Sequence, residues 1–148
     1  MIEREAGTST MSANECRIYE LPKMTDPRGN LTFVEAARHI PFAIRRVFYL
    51  YDVPSGEARA GHALKRCEQF IIAMSGSFDL VVDDGKRRRT FPLNRSDCGV
   101  YVPAMVWREI HNFSTNAVCL VLASEFYDLG EYLDVYEDFR RASRASTP

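Results

Sequence analysis

Short runs rich in β-branched and aromatic residues, broken at regular intervals by Gly, Pro, Asp and Asn, are the feature that most narrows what this chain can become. They occupy residues 17–21, 31–34, 45–51, 69–74, 78–82, 89–93, 99–102, 106–113 and 118–124. Between them, Asp26-Pro27-Arg28-Gly29-Asn30 and Asp83-Asp84-Gly85 are turn signals, because these residues accept the backbone angles that reverse a chain. Ser75-Gly76-Ser77, flanked by the two strongest runs, reads as a hairpin. Many short strands joined in this way predict an all-β, antiparallel barrel or sandwich. The C-terminal segment breaks the pattern. Asp128 and Glu131 have capping-box spacing, and Tyr132, Leu133, Tyr136 and Phe139 then recur at helical intervals. One short amphipathic helix packed on the barrel is expected, with both tyrosines in packing roles.

At 148 residues the chain can bury one core and not two. A single domain is expected over residues 16–142, with a flexible N-terminal tail over 1–15 and a C-terminal tail over 143–148. The 19 basic and 20 acidic side chains nearly cancel, which argues against a general nucleic-acid or membrane-surface binder. Any anionic ligand must then be held by a few local cations. Cys16, Cys67, Cys98 and Cys119 lack CxxC spacing and read as reduced cysteines of a cytoplasmic protein. No run is long and apolar enough for a membrane span.

Two motifs carry the chemistry. The first is Gly56, then His62-Ala63-Leu64, Glu68 and Gly76; the second is Gly99 and Pro103, leading to Met105, Arg108 and Asn112. Together they resemble the two cupin motifs, which implies a cupin-type jelly roll, but the metal-binding positions have changed. Leu64 stands where cupins place their second histidine and has no lone pair, while Arg108 stands at the last ligand position and is always cationic. A bound metal is therefore not expected, and strand alternation turns His111 away from the face of Arg108. What remains is an imidazole, His62, among Arg59, Lys65 and Arg66 at the start of a strand. It can accept a proton near neutral pH, so the cavity around it is the candidate site.

Arg28-Gly29-Asn30-Leu31, Ile40-Pro41-Phe42, Arg45-Arg46-Val47-Phe48-Tyr49, Arg59-Ala60-Gly61-His62-Ala63, Val106-Trp107-Arg108-Glu109 and Leu122-Ala123-Ser124-Glu125-Phe126-Tyr127-Asp128 resemble the family of dTDP-sugar 3,4-ketoisomerases. The likeness runs from about residue 25 to residue 139. It implies a metal-free cupin, dimeric and without cofactor, that converts a dTDP-4-keto-6-deoxyhexose to its 3-keto isomer through an enediolate, in the synthesis of 3-amino sugars for polysaccharides. In that reading His62 is the general base and Tyr49 relays a proton between sugar oxygens. Arg46, Arg59, Trp107 and Arg108 contact the nucleotide sugar. The family has a second histidine where this chain has Leu64. A non-catalytic nucleotide-sugar-binding cupin and a related nucleotide-sugar epimerase are the alternatives that this departure leaves open.

Overall fold

The computed structural model describes residues 15–145. Residues 1–14 of the tail expected over 1–15, and the last three residues, lie outside them. The strands are β1 (Arg17–Glu20), β2 (Lys23–Asp26), β3 (Gly29–Thr32), β4 (Arg46–Leu50), β5 (Arg59–Leu64), β6 (Gln69–Ser75), β7 (Phe78–Asp83), β8 (Arg88–Leu93), β9 (Cys98–Val102), β10 (Trp107–His111), β11 (Val118–Ala123) and β12 (Tyr132–Leu133). Helix α1 spans Tyr136–Ala145.

Among the described residues, ten strands form two five-stranded sheets, ordered β1-β9-β6-β11-β4 and β12-β5-β10-β7-β8, with β2-β3 as a separate hairpin. Every pairing is antiparallel. Strand alternation aims one face of each sheet at the other. Ile71, Val100 and Val121 of the first sheet meet Leu80, Val82 and Ile110 of the second in one buried core. This is the jelly-roll barrel expected from the short runs, eight of which contribute a strand to the two sheets while the run at 31–34 enters the separate hairpin. The first sheet's outer face is covered by Ile40 and Phe42 of the loop before β4, which pack on Phe70, Ile72 and Leu122.

The C-terminal segment departs from the expected continuous helix. Asp128 does cap a turn, accepting from the Gly130 backbone N–H at 2.9 Å, but the turn is a 3-10 turn at Leu129–Glu131 that ends in the two-residue strand β12. Glu131 does not close a capping box. Its carboxylate turns inward and accepts from the backbone N–H of Arg66 at 2.8 Å and of Cys67 at 3.1 Å, and from Arg66 Nε at 2.8 Å. The Glu131 carbonyl also accepts from the Lys65 N–H at 3.0 Å. These bonds stitch β12 to the end of β5, placing Tyr132 opposite Leu64 and Leu133 opposite Ala63. Only then does α1 begin. It continues to Ala145, beyond the boundary drawn at residue 142, and lays Tyr136 and Phe139 over Trp107 and Ala63 on the outside of the second sheet.

Candidate active site

One end of the barrel is lined by polar side chains where an apolar core would be expected. On β10, register places Arg108 opposite His62 of β5 and opposite Val82 of β7, which belongs to the core; Arg108 and His62 therefore point inward. Arg46 of β4 lies opposite Ala123, and Gln69 of β6 lies opposite the same residue from the other side. All four side chains thus converge from both sheets.

A β-bulge positions the imidazole. Arg59 pairs with Ile110, Ala60 with Glu109 and His62 with Arg108, so Gly61 is an extra residue in β5. Ala60 and Gly61 both have positive φ, +65° and +79°. Ala60 is the strained member, since a side chain disfavours this region of backbone space. Three positions apart on a regular strand, Arg59 and His62 would face opposite ways; the inserted residue brings both to the inner face.

Arg108 is 1% exposed. Its Nη1 donates to Gln69 Oε1 at 2.7 Å and its Nη2 to the Val106 carbonyl at 2.9 Å. Burial pulls its pKa down to about 10, so it remains a cation at neutral pH. Three buried N–H groups have no hydrogen-bond partner among the described residues: Arg46 Nε, Gln69 Nε2 and Arg108 Nε. Buried donors are nearly always paired. Three orphans, each from a side chain that converges on this end of the barrel, describe a site built to receive acceptor oxygens. The Arg46 guanidinium lies over the rings of Phe48 and Tyr127, 5.2 and 5.7 Å from their centroids. Aromatic faces thus hold it in place without neutralising its charge.

His62 sits half-buried against Tyr132, the two rings meeting edge to face with centroids 4.8 Å apart. Burial first, then the charges of Arg108 and of Arg46, lower its pKa from 6.5 to about 4. At neutral pH it is an uncharged base. The same shift sets a stability slope. The unfolded chain holds the His62 proton more tightly, so between pH 6.5 and about 4 unfolding takes up a proton and stability falls as pH falls. Urea midpoints measured across this window should show that fall in the wild type, and His62→Asn should lose the share that His62 contributes.

The structure does not bring every expected residue here. Tyr49 is 60% exposed and lies opposite Leu120 on the outer face of the first sheet, because Arg46, Phe48 and Leu50 take the inward positions of β4. The Tyr49 hydroxyl thus lies outside the set of side chains that converges on His62. Trp107 is corrected for the same reason: Arg108 points inward, so its neighbour points outward. There the indole meets Tyr136 edge to face and Phe139 at a tilt, and donates from Nε1 to Glu109 Oε2 at 2.9 Å. His111 also faces outward, 3.0 Å from Glu109 Oε1. Arg59 is exposed at the rim, lining a cleft of about 340 Å³ alongside Tyr49 and Tyr51. Gln69, Tyr127 and Tyr132 belong to the polar end or its mouth but were not candidates from sequence. Gln69 carries no motif, Tyr127 enters only within the family resemblance without a role, and Tyr132 reads as part of a helical packing pattern.

Comparison with known proteins gives this arrangement its context. The family model described as FdtA: WxcM-like, C-terminal, matches residues 14–144. The chain belongs to this family. Among curated proteins, the TDP-4-oxo-6-deoxy-alpha-D-glucose-3,4-oxoisomerase of Aneurinibacillus thermoaerophilus is 37% identical over 127 residues, covering 86% of this chain and 91% of that protein. The TDP-quinovose 3,4-ketoisomerase of Campylobacter jejuni is 43% identical, with a TM-score of 0.83 over 86% of this chain and 98% of that one. A sugar 3,4-ketoisomerase from Thermoanaerobacterium thermosaccharolyticum, solved in complex with TDP, is 29% identical with a TM-score of 0.88, covering 92% and 99% of the two chains.

Within the FdtA, WxcM-like chain the cupin metal positions are occupied by His62, Leu64, Glu68 and Arg108. Leu64 is buried with Cys67 and Ala123, and Glu68 Oε1 accepts from the Tyr101 hydroxyl at 2.5 Å. With a leucine and a fully buried guanidinium in the set, these residues do not fit a metal. No group of three or more His, Cys, Asp or Glu residues that could hold a metal occurs among the described residues.

Proposed function

We propose that this chain is a nucleotide-sugar 3,4-ketoisomerase, converting a dTDP-4-keto-6-deoxyhexose to its 3-keto isomer with His62 as the general base. Membership of the FdtA, WxcM-like family supports the reaction class, and the names of its relatives support a TDP-linked substrate. The observation that carries the reading is a neutral imidazole surrounded by two cations and three unpaired buried N–H groups. A 4-keto group acidifies the hydrogen on C3. His62 removes it, and the charge that develops on the oxygens at C3 and C4 falls among the donors of Arg46, Gln69 and Arg108. These donors are fixed before substrate arrives, so the protein does not reorganise as charge forms. Returning the proton at C4 completes an isomerisation that is redox-neutral overall and calls for no cofactor.

Arg59, on the inner face but exposed at the rim, is suited to the diphosphate. A homodimer fits the apolar outer face of β4, where Val47 is 55% and Tyr49 60% exposed and the loop residue Tyr51 continues the patch. We place the enzyme in the cytoplasm, supplying a 3-keto sugar for amination in polysaccharide synthesis. No helix among the described residues is long and apolar enough to cross a membrane. Proton NMR of dTDP-4-keto-6-deoxyglucose incubated with the purified chain tests the reading. Loss of the 4-keto signals with growth of a 3-keto product is expected. Tight dTDP binding without turnover would instead make the chain a binding module.

A further inference from the structure

We infer that Tyr132 is a catalytic residue, carrying the proton between the sugar oxygens at C4 and C3 while His62 carries the proton between the carbons. The inference rests on the ketoisomerase reading and deepens it.

The reaction moves two protons, one from C3 to C4 and one from the C3 hydroxyl to the oxygen on C4. His62 accounts for the first. A guanidinium such as those of Arg46 and Arg108 offers no acceptor and Gln69 is a neutral amide, so none of them can take and return the second. Leu64, where the family has an imidazole, contributes no proton either. The side chain over Leu64 is that of Tyr132. The two are partners in the β12–β5 register and pack together in one buried cluster with Phe48. Tyr132 also touches the His62 ring, with centroids 4.8 Å apart. Its placement is enforced, because Glu131 beside it is bonded to Arg66 and Cys67 and the Glu131 carbonyl to Lys65. A phenolate at Tyr132 would lie within electrostatic reach of the Arg108 guanidinium, which supplies the stabilisation the intermediate state needs. Cys67 also lies near Arg108, but its fully buried thiol donates to the Glu68 carbonyl at 3.5 Å. Tyr127, though its ring lies tilted beside that of Tyr132, is 66% exposed.

The steps balance. As His62 takes the C3 hydrogen, the electron pair of the C3–H bond forms the C3=C4 double bond and the C4 oxygen takes the Tyr132 proton, leaving an enediol, an imidazolium and a phenolate. The phenolate then takes the proton of the C3 hydroxyl, C3 becomes the carbonyl, and the C3=C4 pair takes the proton from His62 at C4. Both side chains end as they began.

Tyr132→Phe removes the hydroxyl and keeps the ring. Steady-state kinetics with dTDP-4-keto-6-deoxyglucose should show kcat lowered about 100-fold or more. KM, dTDP affinity measured by calorimetry, and melting temperature should stay near wild type. In deuterated water, the enolate formed without its oxygen acid should return to substrate. Deuterium at C3 of recovered substrate should therefore rise relative to product, a partition that a packing defect would not alter. A kcat within about threefold of wild type would overturn the assignment, as would a proportional fall of exchange and turnover together with lost dTDP binding. A wild-type protein inert towards this sugar would overturn the ketoisomerase reading itself, and the role of Tyr132 with it.

Discussion

His62→Asn is expected to lower isomerisation by about 10³-fold or more, while dTDP affinity and the far-UV spectrum stay as in the wild type. Asparagine retains a polar side chain of similar size at a half-buried position, so little packing is lost. It cannot, however, accept a proton from carbon. The expected size reflects how little else in the chamber can do so. Arg108 is a cation with a pKa near 10, Gln69 is a neutral amide and Leu64 has no titratable group. Kinetics at substrate concentrations well above KM check the result, since a loss confined to KM would assign His62 to binding.

Arg108→Met should separate activity from stability. The guanidinium is fully desolvated and its two hydrogen bonds go to a neutral amide and a carbonyl, Gln69 Oε1 and Val106 O. Burying a cation with neutral acceptors alone is costly, and methionine of similar length relieves that cost. Against this, Gln69 Oε1 loses its donor, a penalty of about 1–3 kcal/mol. The two effects oppose each other, so the melting temperature should move little compared with the typical truncation of a core residue. Activity should fall by about 10²–10³-fold, because the charge facing the reacting oxygens is gone. The His62 pKa should move the other way from catalysis. Arg108 is the larger of the two charges that disfavour the imidazolium, so its removal raises the value from about 4 towards 6.5, readable by NMR titration of the imidazole.

The barrel was legible in the sequence because its strands are short, β-branched and separated by turn residues whose chemistry is local. The hairpin β2–β3 was only half seen: its turn was evident, but β2 is exposed throughout and carries no alternation to mark it. His62, Arg46 and Arg108 were legible through the altered cupin motifs and the family resemblance, and they do meet. Tyr49 and Trp107 could have been set aside by counting. Residues 46 and 49 differ by an odd number on one strand, as do 107 and 108, so neither pair can share a face of a regular sheet. The same count applied to Arg59 and His62 would have misled, because the bulge at Ala60-Gly61 reverses parity; Gly61, which accepts the positive φ, was the available signal.

Tyr132 was hidden for a different reason. Its spacing to Tyr136 and Phe139 is helical, and Asp128 with Glu131 completes a plausible capping box. The competing interaction is tertiary: two backbone N–H groups after β5 need an acceptor, and the Glu131 carboxylate satisfies both. That demand, more than 60 residues away in sequence, converts a helical start into a short strand laid against β5.

The central claim is that His62 moves a proton between neighbouring sugar carbons. Its most direct measurement is the position of deuterium after dTDP-4-keto-6-deoxyglucose is turned over in deuterated water by the wild type and by His62→Asn. The account expects deuterium in the sugar ring at C3 or C4 with the wild type, and no enzyme-dependent incorporation with the variant, although the variant still binds dTDP. Equal incorporation by both proteins would contradict it.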